Sequence, residues 1–263
     1  MNNFQKAVFL DIDGTLVTQG RGPFDDDIAQ IEAARKQGHT FFLNTGRALA
    51  NIPEEFQKAP WVDGIVAGGG AQVLLKEKNG GLKTIYHKWV PENILIAASA
   101  FYLAISKWCV FEGETALYAI NLDGTGIKLN GVELLPIRSK NDFSGPYKGT
   151  FISKLTMDGI ITKKEQALLG DYFYLYPQRG YFEGIIKGES KSKGMGIILE
   201  AAGIMRENSI AVGDSANDID MIRFAGTGVA MGNACDELKT LAAFVTGGCG
   251  KGGVAQAIRH CIP

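Results

Sequence analysis

Two aspartates, Asp11 and Asp13, follow the short apolar run Ala7-Val8-Phe9-Leu10 and precede Gly14-Thr15. In an extended chain, residues two apart point the same way. Both carboxylates therefore project together from the C-terminal end of a strand, the edge at which open parallel sheets bind ligands. Gly14 permits a sharp turn just beyond them. A second acidic segment, Gly213-Asp214-Ser215-Ala216-Asn217-Asp218, follows the apolar run Ile210-Ala211-Val212 and precedes a helical pattern, which places Asp214 at the same edge. Carboxylates gathered there repel one another unless a cation lies among them. Hard oxygen ligands with no His or Cys nearby favour magnesium over zinc. Asn217 and Asp218 stand where they can hold the other ligands or reach a metal-bound water. Asn217 also reads as a helix N-cap, and the two roles are compatible.

Two further segments offer groups for an anion. Asn44-Thr45-Gly46-Arg47 is a strand-to-helix junction carrying a hydroxyl and free backbone N–H groups. Lys191-Ser192-Lys193-Gly194 opens a helix, and a cation there is electrostatically misplaced unless it faces an anion. Lys193 is read as that cation. Taken singly, a plain Thr cap and a solvated lysine are the simpler readings. Together, the four segments supply a nucleophile, a metal site, an anion cradle and a cation, the parts of a phosphoryl-transfer site.

The elements that must position these residues alternate. At the start, Val8–Leu10, Thr40–Leu43 and Ile65–Val66 read as buried strands. A helix over Asp25–Gln37 and another from about Arg47, shortened or kinked at Pro53, lie between them. From Lys193 to His260 the same rhythm returns, with strands at Ser209–Val212, Gly228–Ala230 and Phe244–Thr246. This alternation predicts an α/β core, a Rossmann-like doubly wound parallel sheet covered on both faces. The middle breaks the pattern. Strands at Thr84–Tyr86, Cys109–Glu112, Leu117–Asn121, Thr150–Met157 and Tyr172–Tyr176, with a helix over Asn93–Lys107, suggest an inserted α+β cap domain. The expected division is 1–82 plus 188–263 for the core and 83–187 for the cap. The cap's aromatics Tyr172, Phe173, Tyr174, Tyr176, Tyr181 and Phe182 are read as core.

In their order, these motifs resemble the haloacid dehalogenase superfamily, and more narrowly its Cof-type phosphatases with a subclass IIB α/β cap between the second and third motifs. Asp11-Ile12-Asp13-Gly14-Thr15-Leu16 resembles the first motif, Thr45-Gly46-Arg47 the second and Lys193-Gly194 the third. Gly213-Asp214 with Asn217-Asp218 and Met221 resembles the fourth. Gly228–Ala234 and Gly253-Val254-Ala255 are similar to the family's downstream phrases. Asn44 departs from the small residue expected beside the phosphate cradle. The resemblance implies that Asp11 attacks phosphorus and becomes an aspartyl-phosphate. It implies that Asp13 protonates the leaving oxygen and then activates water. Magnesium would be held by Asp11, the Asp13 carbonyl and Asp214, with Asp218 close by. Thr45, Gly46, Lys193 and Asn217 would bind phosphate, and Lys193 would also act in catalysis by neutralising the charge that develops there and orienting Asp11. The implied substrate is a small phosphorylated metabolite, sugar phosphates first. Two alternatives stay open, a phosphomutase on the same fold and a phosphometabolite-binding protein without turnover.

Composition narrows the partners. The chain has 263 residues, and 27 Lys and Arg nearly balance 28 Asp and Glu, so no basic footprint for nucleic acid or membrane is expected. The apolar stretch Ile94–Ile105 is too short to span a bilayer. Cys109, Cys235, Cys249 and Cys261 are scattered, which predicts reduced thiols in a cytoplasmic protein. The expected assembly is a monomer or weak homodimer. Gly247-Gly248-Cys249-Gly250-Lys251-Gly252 lacks both the leading Gly and the trailing Ser or Thr of a Walker A loop and reads as a flexible surface loop. Gly68-Gly69-Gly70 reads as a turn, and Asn121-Leu122-Asp123-Gly124 as another. His39, His87 and His260 lack neighbouring ligands and read as structural or exposed.

Overall fold

The computed structural model describes residues 5–18, 21–105, 107–122, 128–178 and 180–262. Its chain forms two compact units, 1–46 with 55–86 and 190–263, and 47–54 with 87–189. The junctions fall a few residues beyond those expected, and segment 47–54 groups with the inserted unit. Asp123 and Gly124 of the expected turn lie outside the described residues.

In chain order the strands are β1 (Ala7–Leu10), β2 (Thr40–Asn44), β3 (Gly64–Ala67), β4 (Gln72–Lys76), β5 (Leu82–His87), β6 (Cys109–Gly113), β7 (Leu117–Ile120), β8 (Lys128–Leu129), β9 (Val132–Pro136), β10 (Ile152–Asp158), β11 (Phe173–Pro177), β12 (Tyr181–Ile186), β13 (Ser209–Gly213), β14 (Thr227–Ala230) and β15 (Phe244–Val245). The helices are α1 (Asp25–Lys36), α2 (Glu54–Gln57), α3 (Glu92–Leu103), α4 (Lys163–Leu169), α5 (Lys191–Ala202), α6 (Ile219–Phe224), α7 (Asp236–Leu241) and α8 (Gly253–Cys261).

The first unit is built on a sheet of order β15-β14-β13-β1-β2-β3-β4-β5. The six strands from β15 to β3 are parallel, and β4 turns back antiparallel to β3. Strands buried on both faces need apolar side chains on both. Ala7 and Phe9 pack with Phe42, Met195, Ile198, Ala211 and Met221 in one cluster, while Val8 and Leu10 point to the other face and are equally buried. The rings of Phe9 and Phe42 stack across the β1–β2 pair with centroids 5.0 Å apart. Strand order reverses at β1, which has β2 on one side and β13 on the other. Leu10 is level with Leu43 and with Val212, so the residues that follow, Asp11, Asn44 and Gly213, share one edge.

Three expectations are corrected. The helix expected from Arg47 is only a 3₁₀ turn at Leu49–Asn51 followed by the four-residue α2. Ile52 is extended because it precedes Pro53, which excludes a continuous helix there. The strand expected at Thr84–Tyr86 lies within β5, at the edge of the larger sheet. Of the aromatics read as core, Phe173 and Phe182 are buried, whereas Tyr174 and Tyr176 are about half exposed (48% and 50%). Strand alternation along β11 sends Phe173 inward and its tyrosine neighbours outward.

The inserted unit is a seven-stranded sheet of order β11-β12-β10-β6-β7-β9-β8, antiparallel except between β7 and β9, which run parallel. One face carries a buried charge network. Glu112 accepts from Thr156 Oγ1 (2.5 Å) and from Asn51 Nδ2 (3.0 Å), and Lys154 pairs with Glu183 and lies 3.8 Å from Glu112. Burial works against the Lys154 charge, but Glu112 and Glu183 outweigh it and hold its pKa above the ordinary lysine value.

Candidate active site

Asp11 follows β1 and continues its ladder through an N–H donated to Val212 O at 3.0 Å. Its side chain is buried, with 4% of the residue exposed. Lys191, the first residue of α5, donates from Nζ to Asp11 Oδ1 at 2.6 Å, to Asp218 Oδ1 at 2.5 Å and to Asn217 Oδ1 at 3.3 Å. Asp218 spends its second oxygen on the turn after β13, accepting from the N–H groups of Asp214 (2.9 Å) and Ser215 (3.0 Å). Gly213 makes this approach possible, because a Cβ there would meet the Asp218 carboxyl carbon at 2.5 Å.

Asp214 sits against the turn that follows Asp13. Gly14 has φ +86°, and a Cβ on it would lie 2.1 Å from Asp214 Oδ2. Only glycine tolerates both that dihedral and that contact. Carboxylate oxygens of Asp11, Asp214 and Asp218 lie within 4.8 Å of one another. Asp214 Oδ1 is buried without a hydrogen-bond partner. Burial, with Asp218 and Asp214 nearby, pushes the Asp11 carboxyl up to about 8, against the pull of Lys191. Burial first, then Asp218 and Asp13, push Asp214 up to about 7, against Lys191 and the Asn233 amide. Carboxylates raised in this way by burial and one another are ones that a divalent cation would bring back to the ionised form. The donor set fits such a cation, with Asp214 Oδ1 and Asp11 as ligands, whereas both oxygens of Asp218 are already engaged.

The phosphate-binding residues named from the sequence are placed as follows. Thr45 follows β2, is buried, donates its N–H to Val66 O (2.9 Å) and accepts from Gly69 N–H (3.1 Å). The Gly68-Gly69-Gly70 turn thus braces the segment, and Gly70 lies flat on Ser190, where a Cβ would meet the Ser190 carbonyl oxygen at 2.1 Å. Asn217 Nδ2 lies 3.7 Å from where a Gly46 side chain would begin, so the two adjoin. Asp13 is exposed two residues from Asp11. Asn44, the departure from the family pattern, is fully buried and donates to Lys191 O at 3.3 Å, which ties β2 to the start of α5.

Lys193 is elsewhere. Its Nζ donates to Tyr86 Oη at 2.8 Å and lies 4.8 Å from the centre of that ring, while Lys191 occupies the position expected for Lys193. Burial works against the Lys191 charge, but Asp11 and Asp218 outweigh it and hold its pKa above the ordinary lysine value. A signal in the sequence marked Lys191. The residues three, four and seven positions on, Gly194, Met195 and Ile198, are the buried face of α5, while Lys193 lines up with Ile197 and exposed Glu200. Asn233 is the second residue that motif reading passed over as a site residue. Its Nδ2 donates to Gly14 O (2.9 Å) and Asp214 Oδ2 (3.2 Å). All four cysteines are free. No described helix is long and apolar enough to cross a membrane.

A buried carboxyl at the end of a central parallel strand, met by a buried lysine and clustered with two further aspartates, is the site that this doubly wound sheet presents. The chain belongs to the haloacid dehalogenase-like hydrolases, whose family profile matches residues 8–258. Within them it is a Cof-type phosphatase with a subclass IIB cap. It is similar to the 5-amino-6-(5-phospho-D-ribitylamino)uracil phosphatase YcsE of Bacillus subtilis, with 47% identity over 98% of this chain and 96% of that one. It is 26% identical to the putative phosphatase YkrA of the same organism, over 97% of each chain. The solved structure of the subclass IIB sugar phosphatase BT4131 superposes with a TM-score of 0.79 and 29% identity, covering 97% of this chain and 98% of that one.

Proposed function

We propose that the protein is a magnesium-dependent phosphatase that hydrolyses small phosphate monoesters of sugars or sugar alcohols through an aspartyl-phosphate on Asp11. The observation that carries this reading is the buried Asp11 carboxylate, held at 2.6 Å by Lys191 beside the unpartnered oxygen of Asp214. Asp11, the Asp13 carbonyl and Asp214 would hold the cation, and Asp218 keeps Lys191 and the Asp214 turn in place. When bound, magnesium neutralises charge on the phosphoryl oxygens. Asp11 attacks phosphorus in line, and the P–O bond to the leaving oxygen breaks. Asp13 gives that oxygen its proton, then takes one from the water that splits the Asp11–phosphate bond. Thr45, Gly46 and Asn217 hold the phosphoryl oxygens, and Lys191 offsets their growing charge. Substrate choice is assigned to the inserted unit.

Among substrates, 5-amino-6-(5-phospho-D-ribitylamino)uracil is proposed first, because the relative at 47% identity is named for it. Its phosphorylated ribityl chain is a reduced sugar phosphate, in keeping with the sugar phosphatase resemblance. The test is inorganic phosphate release from this compound and from a panel of hexose and pentose phosphates, with magnesium and after chelation. Asp11→Asn is expected to abolish release, with the fold intact by circular dichroism. Full release by that purified variant, or undiminished release after chelation, would sink the mechanism. Isomerised substrate without free phosphate would favour a mutase.

A further inference from the structure

The glycine-rich loop 247–252 has no part in phosphate binding by its sequence, yet it is tied down at several points. Gly247 donates its N–H to Gln256 Oε1 (2.7 Å), and Gln256 Nε2 donates to Lys251 O (3.3 Å). Gly232 donates its N–H to Gly247 O (3.0 Å), and glycine is needed there because a Cβ would meet Thr246 O at 2.6 Å. The loop's Cys249 N–H then donates to Asn233 Oδ1 at 2.7 Å. The three partners of Asn233 fix its orientation. A backbone N–H can only donate, so Oδ1 faces the loop. A carbonyl and a carboxylate can only accept, so Nδ2 faces Gly14 O and Asp214 Oδ2.

We propose that Asn233, seated on loop 247–252, is a positioning residue that clamps Asp214 to the Asp11–Gly14 turn and so sets the geometry of the cation site. Its amide occupies Asp214 Oδ2 and leaves Oδ1 as the oxygen without a protein partner. The same amide holds the carbonyl of Gly14, next to the Asp13 carbonyl. One side chain thus spaces the β13 ligand against the β1 ligands, and the loop holds that side chain. Partners of this kind, one bond removed from a metal, govern its affinity.

The inference rests on the magnesium reading, so its test needs a signal independent of turnover. Thermal unfolding of metal-stripped wild type, Asn233→Ala and Asn233→Ser is followed during magnesium titration without substrate. Asn233→Ala is expected to raise the magnesium concentration that gives half the stabilisation by about ten-fold or more. Its metal-free unfolding temperature should fall only by the loss of its three hydrogen bonds, and the shift in the magnesium half-point comes in addition, a shift that a purely structural role would not give. Asn233→Ser, which keeps one short hydroxyl, should fall between them and carries the test if the alanine variant does not fold. Half-points that match wild type overturn the assignment. Absence of any magnesium effect on wild type itself overturns the magnesium reading and this inference with it, and is recognisable without either variant.

Discussion

Two lysines open α5, and a helix turns them about 200° apart. Lys191 points into the site, and Lys193 lies against Tyr86. An ammonium taken out of water costs several kcal/mol, and Lys191 is tolerated because the carboxyl groups of Asp218 and Asp11 meet it at 2.5 and 2.6 Å. That enclosure separates the two residues experimentally. Lys191→Met is expected to lower kcat for phosphate release by about 10²–10³, the scale of losing one preorganised charge contact in a site of this kind. Lys193→Ala should leave kcat near wild type. Steady-state phosphate release on both variants, with circular dichroism to confirm folding, checks this, and the opposite ranking would return the role to Lys193. Adjacent Lys–Gly pairs in sequence pointed to Lys193 because a motif is read along the chain. Burial is decided around the helix, where Met195, Ile198 and Leu199 mark the inner face that Lys191 shares.

At the scale of elements, α5 reaches the sheet only because Gly194 has no side chain. A Cβ there would sit 2.3 Å from Val66 Cγ1 on β3. Gly194→Ala should push α5 outward and carry Lys191 away from Asp11. The overpacking is expected to cost about 1–3 kcal/mol, offset in part by alanine's better helix propensity of about 1 kcal/mol. A lower unfolding temperature with reduced kcat would be seen, and a variant as stable and active as wild type would show that β3 yields without consequence. The strands that carry Asp11, Thr45 and Asp214 were legible because each is a short apolar run buried on both faces and ended by polar residues. β12 was not, since Glu183 and Gly184 interrupt Tyr181–Ile186, and its pairing to β10 and β11 settles what its residue types leave open. The segment after Thr45 was misread as helix because Pro53 acts backwards on Ile52 as well as at its own position. Loop 247–252 failed as a phosphate motif by its sequence, but its hydrogen bonds with Gly232 and Asn233 reach back to the segment after β14 and leave no local pattern.

For the whole molecule, the proposed cation site would couple stability to pH and to magnesium. Asp11 and Asp214 are pushed up to about 8 and about 7 in the folded, metal-free chain, chiefly by burial, against about 3.9 for an unfolded aspartate. Between the unfolded and folded values the native state binds more protons than the unfolded state. Stability of the metal-free protein is therefore greatest below about pH 4 as far as these two groups decide it, and their contribution is lost as pH rises through about 7 to 8. On the proposed reading magnesium would bind the ionised carboxylates, so its stabilisation should run the other way and grow over the same range. Unfolding temperatures of chelator-treated protein at about pH 6 and about pH 9, with and without excess magnesium, test both signs at once. The expected result is a larger magnesium-induced rise at the higher pH. Asp214→Asn should flatten the dependence, because an amide neither titrates nor offers the cation a charged oxygen. A magnesium effect that is the same at both pH values, or larger at the lower one, would show that these carboxylates are ionised before the cation arrives and that Lys191 outweighs the burial that raises them.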